Sequence, residues 1–107
     1  MLIYRVERLG LGPYYKRPIE NMLWAHDSPK THPTPYEERI ADLPDFRCGS
    51  ITLDHLKIWF KGWRNKLRMA GFRLKVYEIP HKYVRIGDKQ LIFDKDFAKE
   101  IADLPIP

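Results

Sequence analysis

The segment from Leu53 to Ala70 most constrains what this chain can fold into, because its apolar side chains recur every three or four residues. At about 100° per residue, positions with that spacing share one face of an α-helix. Thr52 can cap the start of such a helix with its hydroxyl, and Gly71 suits its end. The apolar positions are Leu56, Trp59, Phe60, Trp63, Leu67 and Ala70. The pattern predicts one long amphipathic helix over residues 53–70, despite Gly62 in its interior.

Shorter segments alternate apolar and polar residues, which is typical of half-buried β-strands. Residues 72–77 show this alternation, residues 2–7 are a β-branched and aromatic run that also predicts a strand, and residues 46–48 form a further short strand candidate. Two more runs, 83–86 and 89–93, flank Gly87-Asp88 and predict a hairpin with a two-residue turn. These strands predict a small antiparallel or mixed sheet.

Three short helices are expected around this sheet. Pro18 is suited to the first turn of one helix, and Thr34-Pro35-Tyr36-Glu37 has the form of a capping box that begins another. Asp94 or Asp96 can cap a last helix that runs to Ala102. The predicted fold class is therefore α+β, a single domain over residues 1–107 with the sheet packed against the long helix.

Composition limits the kind of protein this is. The chain has 107 residues, of which 44% are hydrophobic and 13% aromatic, and this argues against disorder. No apolar run approaches the roughly 20 residues of a membrane helix, and a secretory signal pattern is missing, so a soluble intracellular protein without membrane contact is expected. The lone Cys48 cannot form an internal disulfide, and the four histidines lack the spacing of a metal site, so no metal is expected.

Positive charge is concentrated in the second half of a chain whose net charge is +5. The predicted helix carries basic residues at spacings of four, three and four, which places them along one edge, and two more follow on the next strand. These residues are Lys57, Lys61, Arg64, Arg68, Arg73 and Lys75. Such an edge is either a solvated helix face or a binding surface for an acidic protein or for nucleic acid without sequence specificity.

Arg5 lies in the middle of the first predicted strand. A guanidinium at such a position must be paired inside the protein or face a cleft, because an isolated buried charge is costly. The turn at residues 10–13 follows, where a ligand could approach the backbone closely. Glu7, two residues along the same strand face, is the alternative partner for Arg5.

Four segments resemble the strand order of minimal ADP-ribosyltransferase-like domains. They are Tyr4-Arg5, residues 46–52, Val76-Tyr77-Glu78-Ile79 and residues 89–93. The resemblance implies that Arg5 contacts NAD or a related nucleotide, that Ser50 or Thr52 supports the site, and that Gln90 lies where the catalytic acid is expected. Because the amide of Gln90 cannot act as a carboxylate, either Glu78 would have to serve as the catalytic acid or ADP-ribosyl transfer would be impaired.

A broader set of motifs resembles small proteins carried by bacteriophages and prophages. The set comprises Tyr4-Arg5-Val6-Glu7, Gly12-Pro13-Tyr14, His32-Pro33, Cys48-Gly49-Ser50, Leu56, Trp59-Phe60, Gly71-Phe72, Gln90 and Phe93. This resemblance implies a binding protein in the cytoplasm of a bacterial host that inhibits or modulates a host or defence protein. A binding role through the basic edge needs neither a cofactor nor a full set of catalytic residues. Binding is therefore the leading hypothesis, and an NAD-dependent enzyme is the alternative.

Overall fold

The computed structural model describes residues 1–15, 26 and 30–107, and these residues fold largely as β-structure. In chain order the strands are β1 (Leu2–Glu7), β2 (Arg47–Gly49), β3 (Arg73–Glu78), β4 (Val84–Ile86), β5 (Leu91–Phe93) and β6 (Lys99–Leu104). They form two three-stranded sheets, in the orders β1-β3-β6 and β2-β5-β4. Every pairing within these sheets is antiparallel.

The two sheets meet where β1 approaches the end of β2. Tyr4 and Ser50 exchange backbone hydrogen bonds of 3.0 and 2.8 Å across this junction. A side chain at Gly49 would place its Cβ 2.6 Å from Cγ2 of Ile3 and 3.1 Å from the carbonyl oxygen of Tyr4. Only glycine therefore allows the two sheets to come this close.

The alternation along β1 sends its side chains into two different apolar clusters. One cluster packs the helical segment against the first sheet and comprises Val6, Leu56, Phe60, Leu67, Phe72, Leu74 and Ile106. The other packs the two sheets together and comprises Ile3, Tyr77, Ile79, Val84, Leu91 and Phe93. Because β1 is covered on both faces, Arg5 and Glu7 are buried along with their apolar neighbours.

The predicted long helix over residues 53–70 is wrong, and so is the α+β fold class that was built on it. The structure has two short helices instead, α1 (Leu53–Trp59) and α2 (Arg64–Met69). Gly62 separates them with a φ of +84°, a left-handed conformation that ends an α-helix and that glycine adopts at little cost. The predicted ends are confirmed, because the Thr52 hydroxyl accepts from the backbone N–H of His55 and Gly71 adopts a φ of +88°.

The accessory helices also differ from prediction. The reciprocal bonds of the capping box form between Thr34 and Glu37, but the chain makes only a turn because Arg39 adopts a φ of +59°. Asp94 caps a single 3-10 turn over Lys95–Phe97, and the residues after it join β3 as strand β6. The helix predicted after Pro18 lies outside the described residues.

The predicted hairpin is confirmed as β4 and β5, with a four-residue loop in place of the expected two-residue turn. The N–H of Gly87 donates to the carbonyl of Gln90 at 2.8 Å and closes this loop. Among the described residues, the helices are too short and too polar to cross a membrane.

Candidate functional site

A cavity of about 550 Å³ opens at the junction of the two sheets. Its walls come from the loop that follows β1, from residues 32–35, from β2 and from the end of α1. Most of the lining is aromatic or apolar, and the aromatic side chains are Tyr4, Tyr14, Tyr15, Phe46, Trp59 and Phe60. The described lining includes no aspartate and no glutamate, but it includes Arg5 and Arg47.

Four of the residues around the cavity form a closed circuit of polar and ring contacts. The indole N–H of Trp59 donates to the Tyr14 hydroxyl at 2.7 Å, and that hydroxyl bonds to Nδ1 of His26. The His26 ring stacks on the His32 ring with centroids 3.7 Å apart and planes within 9° of parallel. Nε2 of His32 returns to the backbone carbonyl of Trp59 at 2.7 Å. The circuit fixes the orientation of its four rings, which line the cavity.

The chemistry of these partners fixes where the protons lie. A carbonyl oxygen can only accept a hydrogen bond, so Nε2 of His32 carries a proton. Burial, with a further contribution from His32, lowers the pKa of His26 to about 4. Burial also raises the pKa of Tyr14 well above its ordinary value, although the Trp59 hydrogen bond opposes the rise. His26 and Tyr14 are therefore uncharged at neutral pH.

Arg5 has partners inside the protein and also faces the cavity. Its Nε donates to Oε2 of Glu7 at 2.8 Å, which confirms the sequence-based alternative, and its Nη1 donates to the Cys48 carbonyl at 2.7 Å. Its Nη2 has no partner among the described residues and points toward Gly12, where a Cβ would lie 3.4 Å away. In the described part of the chain, Nη2 is the nitrogen of this buried guanidinium that remains for a ligand.

The carboxylate of Glu7 is held by three groups. The Tyr77 hydroxyl donates to its Oε1 at 2.6 Å, and Nζ of Lys95 lies 3.6 Å from its Oε2. Burial alone would raise the pKa of Glu7, but the hydrogen bonds from Tyr77 and Arg5 and the charge of Lys95 lower it instead. Glu7 is thus an ionised structural partner that compensates the charge of Arg5.

Three of the five residues named for the transferase resemblance line this cavity, whereas Thr52 and Glu78 do not. Arg5, Ser50 and Gln90 contribute to its wall. Glu78 is exposed on β3, outside the lining, where its backbone pairs with Leu2 and Lys99. The side-chain amide of Gln90 donates to the carbonyl of Pro33, which makes Gln90 a support for the wall at residues 33–35.

Cys48 is also a wall residue. Burial raises the pKa of its thiol, although the charges of Arg5 and Arg47 oppose the rise. The thiolate is therefore disfavoured. Within the described part of the chain, no three His, Cys, Asp or Glu side chains are grouped in a way that would hold a metal ion.

The six basic residues expected on one edge have different environments. Arg73 and Lys75 form ion pairs with Asp103 at 2.8 and 2.9 Å, and Lys75 also pairs with Glu100. These contacts raise the pKa of Lys75 and lower that of Asp103.

Arg64 and Arg68 donate to the carbonyls of Pro107 and Ile106 at the end of the chain. Lys57 lies in α1 and Lys61 in the turn at Gly62, and neither has an ion-pair partner among the described residues. Because the helix breaks at Gly62, the regular spacing of these four residues does not carry across from α1 to α2.

The aromatic circuit was not predicted as a site. Sequence reasoning assigned Trp59 to an apolar helix face, whereas His26 and His32 lie in a segment, residues 26–35, whose three prolines exclude regular structure. The available signal was the occurrence of two histidines in a loop that cannot form regular structure, in a chain that also carries an aromatic helix face. A sequence pattern contains no information about which loop packs on which helix, so the contact itself could not be predicted.

The fold and the cavity together define a small, largely β-structured protein with an aromatic-lined cavity where two sheets meet. Over residues 1–107 the chain matches the model of the family described as Bacteriophage T4 Y00F protein, and it belongs to that family. Searches of curated proteins and of solved structures found no match. The resemblance to phage proteins is therefore confirmed, whereas none of the comparisons supports a relationship to ADP-ribosyltransferases.

Proposed function

We propose that this phage protein acts by binding, and that its cavity takes a small organic ligand with a planar ring. The observation that carries the proposal is the aromatic circuit of Tyr14, His26, His32 and Trp59 in the wall of a 550 Å³ cavity. Cavities of about 300–1,000 Å³ with aromatic walls and a few oriented polar groups are typical of small-molecule sites.

The physical argument rests on order in the wall. Each ring of the circuit has a fixed orientation, because each is held by a hydrogen bond, by stacking, or by both. A planar ligand that packs on a fixed aromatic wall gains ring contacts without paying to order the side chains first. Nucleobases and nicotinamide are planar rings of suitable size, which retains NAD and related nucleotides as ligand candidates.

Group transfer is the less favoured use of this cavity. Stabilising a positively charged ribosyl centre requires a carboxylate close to the reacting carbon. The described lining supplies none, since Glu78 lies elsewhere and Glu7 is outside the lining and already bound by Arg5 and Tyr77. The proposal is therefore binding without catalysis.

The test is a thermal-shift and tryptophan-fluorescence screen against nucleosides, nucleotides, NAD and ADP-ribose. A ligand at 100 times its Kd should stabilise the folded protein by about 2.7 kcal/mol and raise its Tm. Leu11→Trp, at the exposed rim of the cavity, should weaken binding, whereas Leu9→Trp, exposed outside the cavity, should leave it unchanged. The proposal fails if millimolar ligands change neither Tm nor fluorescence, or if both variants bind as the wild type does.

A second candidate is capture of an acidic host or defence protein through a basic surface. The observation that favours it is that Lys57 and Lys61 have no acidic partner in the described structure, so their charges are available to a partner. Arg73 and Lys75, in contrast, are largely compensated by Asp103 and Glu100. Arg64 and Arg68 bond to backbone carbonyls and also have no acidic partner among the described residues, so the basic surface proposed here comprises Lys57, Lys61, Arg64 and Arg68.

Charge reversal separates this candidate from the cavity. Lys57→Glu combined with Lys61→Glu should weaken capture of host protein in a pull-down, while Lys82→Glu combined with Lys99→Glu provides the same change in net charge elsewhere. Capture that falls equally in both double variants would indicate general electrostatics, and unchanged capture would exclude this surface. Binding to mixed-sequence DNA or RNA in the same comparison tests nonspecific nucleic-acid binding.

A further inference from the structure

We infer that the cavity selects an anionic ligand, with Arg47 and Nη2 of Arg5 forming the anion-binding end. This inference deepens the proposed function and rests on it. It specifies the ligand class as a planar ring that bears a phosphate or a carboxylate.

The first observation concerns the balance of charge in the wall. Two arginines line the cavity, and no acidic side chain does so among the described residues. The charge of Arg5 is compensated by Glu7, whose Oε2 lies 2.8 Å from Nε. Among the residues that the structure describes, Arg47 donates two hydrogen bonds, each 3.3 Å long, to the backbone carbonyls of Asp45 and Phe46. The charge of Arg47 is therefore left for a ligand.

The second observation is the unpartnered nitrogen of a buried side chain. The Arg5 side chain is only 7% exposed, its Nε and Nη1 are both bonded, and Nη2 has no acceptor among the described residues. Nη2 is not one of the described buried atoms that lack a partner, so it is accessible from the cavity, where water or an anion oxygen can accept from it. Gly12 leaves the space beside it open, since a Cβ there would lie 3.4 Å from Nη2.

Both arginines line the cavity, and both lie near Cys48. Nη1 of Arg5 bonds to the carbonyl of Cys48, the residue next to Arg47, and both charges act on the Cys48 thiol. Ser50, two residues further along, lines the cavity with a hydroxyl that bonds to no described residue. Two positively charged donors and a hydroxyl are a suitable set for anion oxygens.

The experiment compares ligands that differ only in the anion. Binding is measured by calorimetry for AMP against adenosine and for UMP against uridine, with inorganic phosphate as a further probe. Each nucleotide should bind about 10- to 100-fold more tightly than its nucleoside, the range expected for hydrogen bonds to charged groups. The affinity of the nucleotide should also fall with salt, while that of the nucleoside should not.

Variants identify the residue responsible. Arg47→Gln should remove most of the difference between nucleotide and nucleoside without changing nucleoside affinity, and Arg47→Lys should retain part of it. Lys99→Gln, which removes one positive charge on β6 outside the cavity, should change neither affinity. The salt dependence of the wild-type protein tests the same point without any substitution.

The possible failures are distinct. Equal affinity for nucleoside and nucleotide, or an equal loss of both in Arg47→Gln, would overturn the anion subsite and leave the planar-ligand site intact. Tight binding of inorganic phosphate with no gain from the ring would support the anion subsite and contradict the ring site. The absence of binding by every probe would overturn both proposals.

Discussion

The Trp59 indole N–H donates to the Tyr14 hydroxyl at 2.7 Å, across 45 residues of sequence. This bond ties the last residue of α1 to the loop that follows β1. The backbone carbonyl of the same tryptophan accepts from His32, so Trp59 holds two loops at once. The end of a seven-residue helix thereby becomes the fixed point around which the cavity wall is arranged.

Replacing Trp59 tests this arrangement. Trp59→Phe keeps an aromatic ring but removes the N–H, so we expect unfolding to require about 1–3 kcal/mol less free energy than in the wild type. Urea denaturation followed by circular dichroism measures the change. Trp63→Phe is the matched control, because the Trp63 indole N–H bonds to no described residue. Its loss in the free energy of unfolding should be about 1 kcal/mol smaller than that of Trp59→Phe. Equal losses in both variants would contradict a specific role for the Trp59–Tyr14 bond.

The lowered pKa of His26 predicts a pH dependence of stability. Burial lowers this pKa from 6.5 to about 4, so between these values the unfolded chain binds more protons than the folded protein. Stability is therefore fully present above about pH 6.5 and falls as the pH decreases toward 4. The full difference between the two pKa values of His26 corresponds to about 3 kcal/mol in the free energy of unfolding. Denaturant titrations at pH 7, 6, 5 and 4.5 measure it.

A histidine variant separates this effect from the acidic groups. The carboxyls of Glu7 and Asp103, whose pKa values are lowered by their partners, add their own loss only below their ordinary values of 4.5 and 3.8. His26→Gln should therefore flatten the dependence between pH 7 and 5, while His81→Gln at an exposed site should retain it. A steep dependence that persists in His26→Gln would assign the effect to other groups.

The break between α1 and α2 reverses the expected effect of Gly62→Ala on stability, compared with a continuous helix. In a continuous helix, Gly62→Ala would stabilise the protein by about 1 kcal/mol. Because Gly62 has a φ of +84°, alanine should instead destabilise it by about 1–2 kcal/mol. Thermal denaturation decides the sign. Asn65→Ala, at an exposed position inside α2, should stabilise slightly and serves as the control.

Glu38 contacts the hairpin loop at residues 87–90, and a pair of substitutions can test this contact. Oε1 of Glu38 accepts from the backbone N–H of Lys89 at 2.7 Å, and a Cβ at Gly87 would lie 2.7 to 2.8 Å from the same carboxyl group. Gly87→Ala should displace this carboxylate and cost about 1 kcal/mol or more of stability.

The double variant supplies the control for that contact. In a Glu38→Ala background the Gly87→Ala change should cost much less, because the atoms it would meet are gone. A double-mutant cycle by urea denaturation measures the coupling. Additive losses would show that the two positions act independently.

Glu7→Gln probes the buried ion pair. It keeps the size of the side chain but removes the charge that compensates Arg5, so we expect a loss of about 3–5 kcal/mol in the free energy of unfolding. Denaturant unfolding at neutral pH measures the loss. Glu78→Gln, at an exposed carboxylate on β3, is the control and should stay within about 0.5 kcal/mol of the wild type.

Local patterns in the sequence predicted most strands and the helix ends. The strands predicted over residues 2–7 and 72–77, the Thr52 cap and the Gly71 stop are all present in the structure, the second strand with its boundaries shifted by one residue. These features depend on neighbours along the chain. The pairing of Arg5 with Glu7 was predictable for the same reason, since residues two apart in a strand share a face.

Tertiary contacts decided the rest. Residues 99–102 were predicted to be helical, but residues 99–104 form a strand because β3 offers them an edge to pair with. The apolar pattern over residues 53–70 predicted one helix, but the left-handed backbone at Gly62 divides the segment into two. The cavity depends on loops that meet across long sequence separations, as Trp59 and Tyr14 do. The sequence by itself determined which side chains are available, and packing, which depends on distances through space, determined which of them meet.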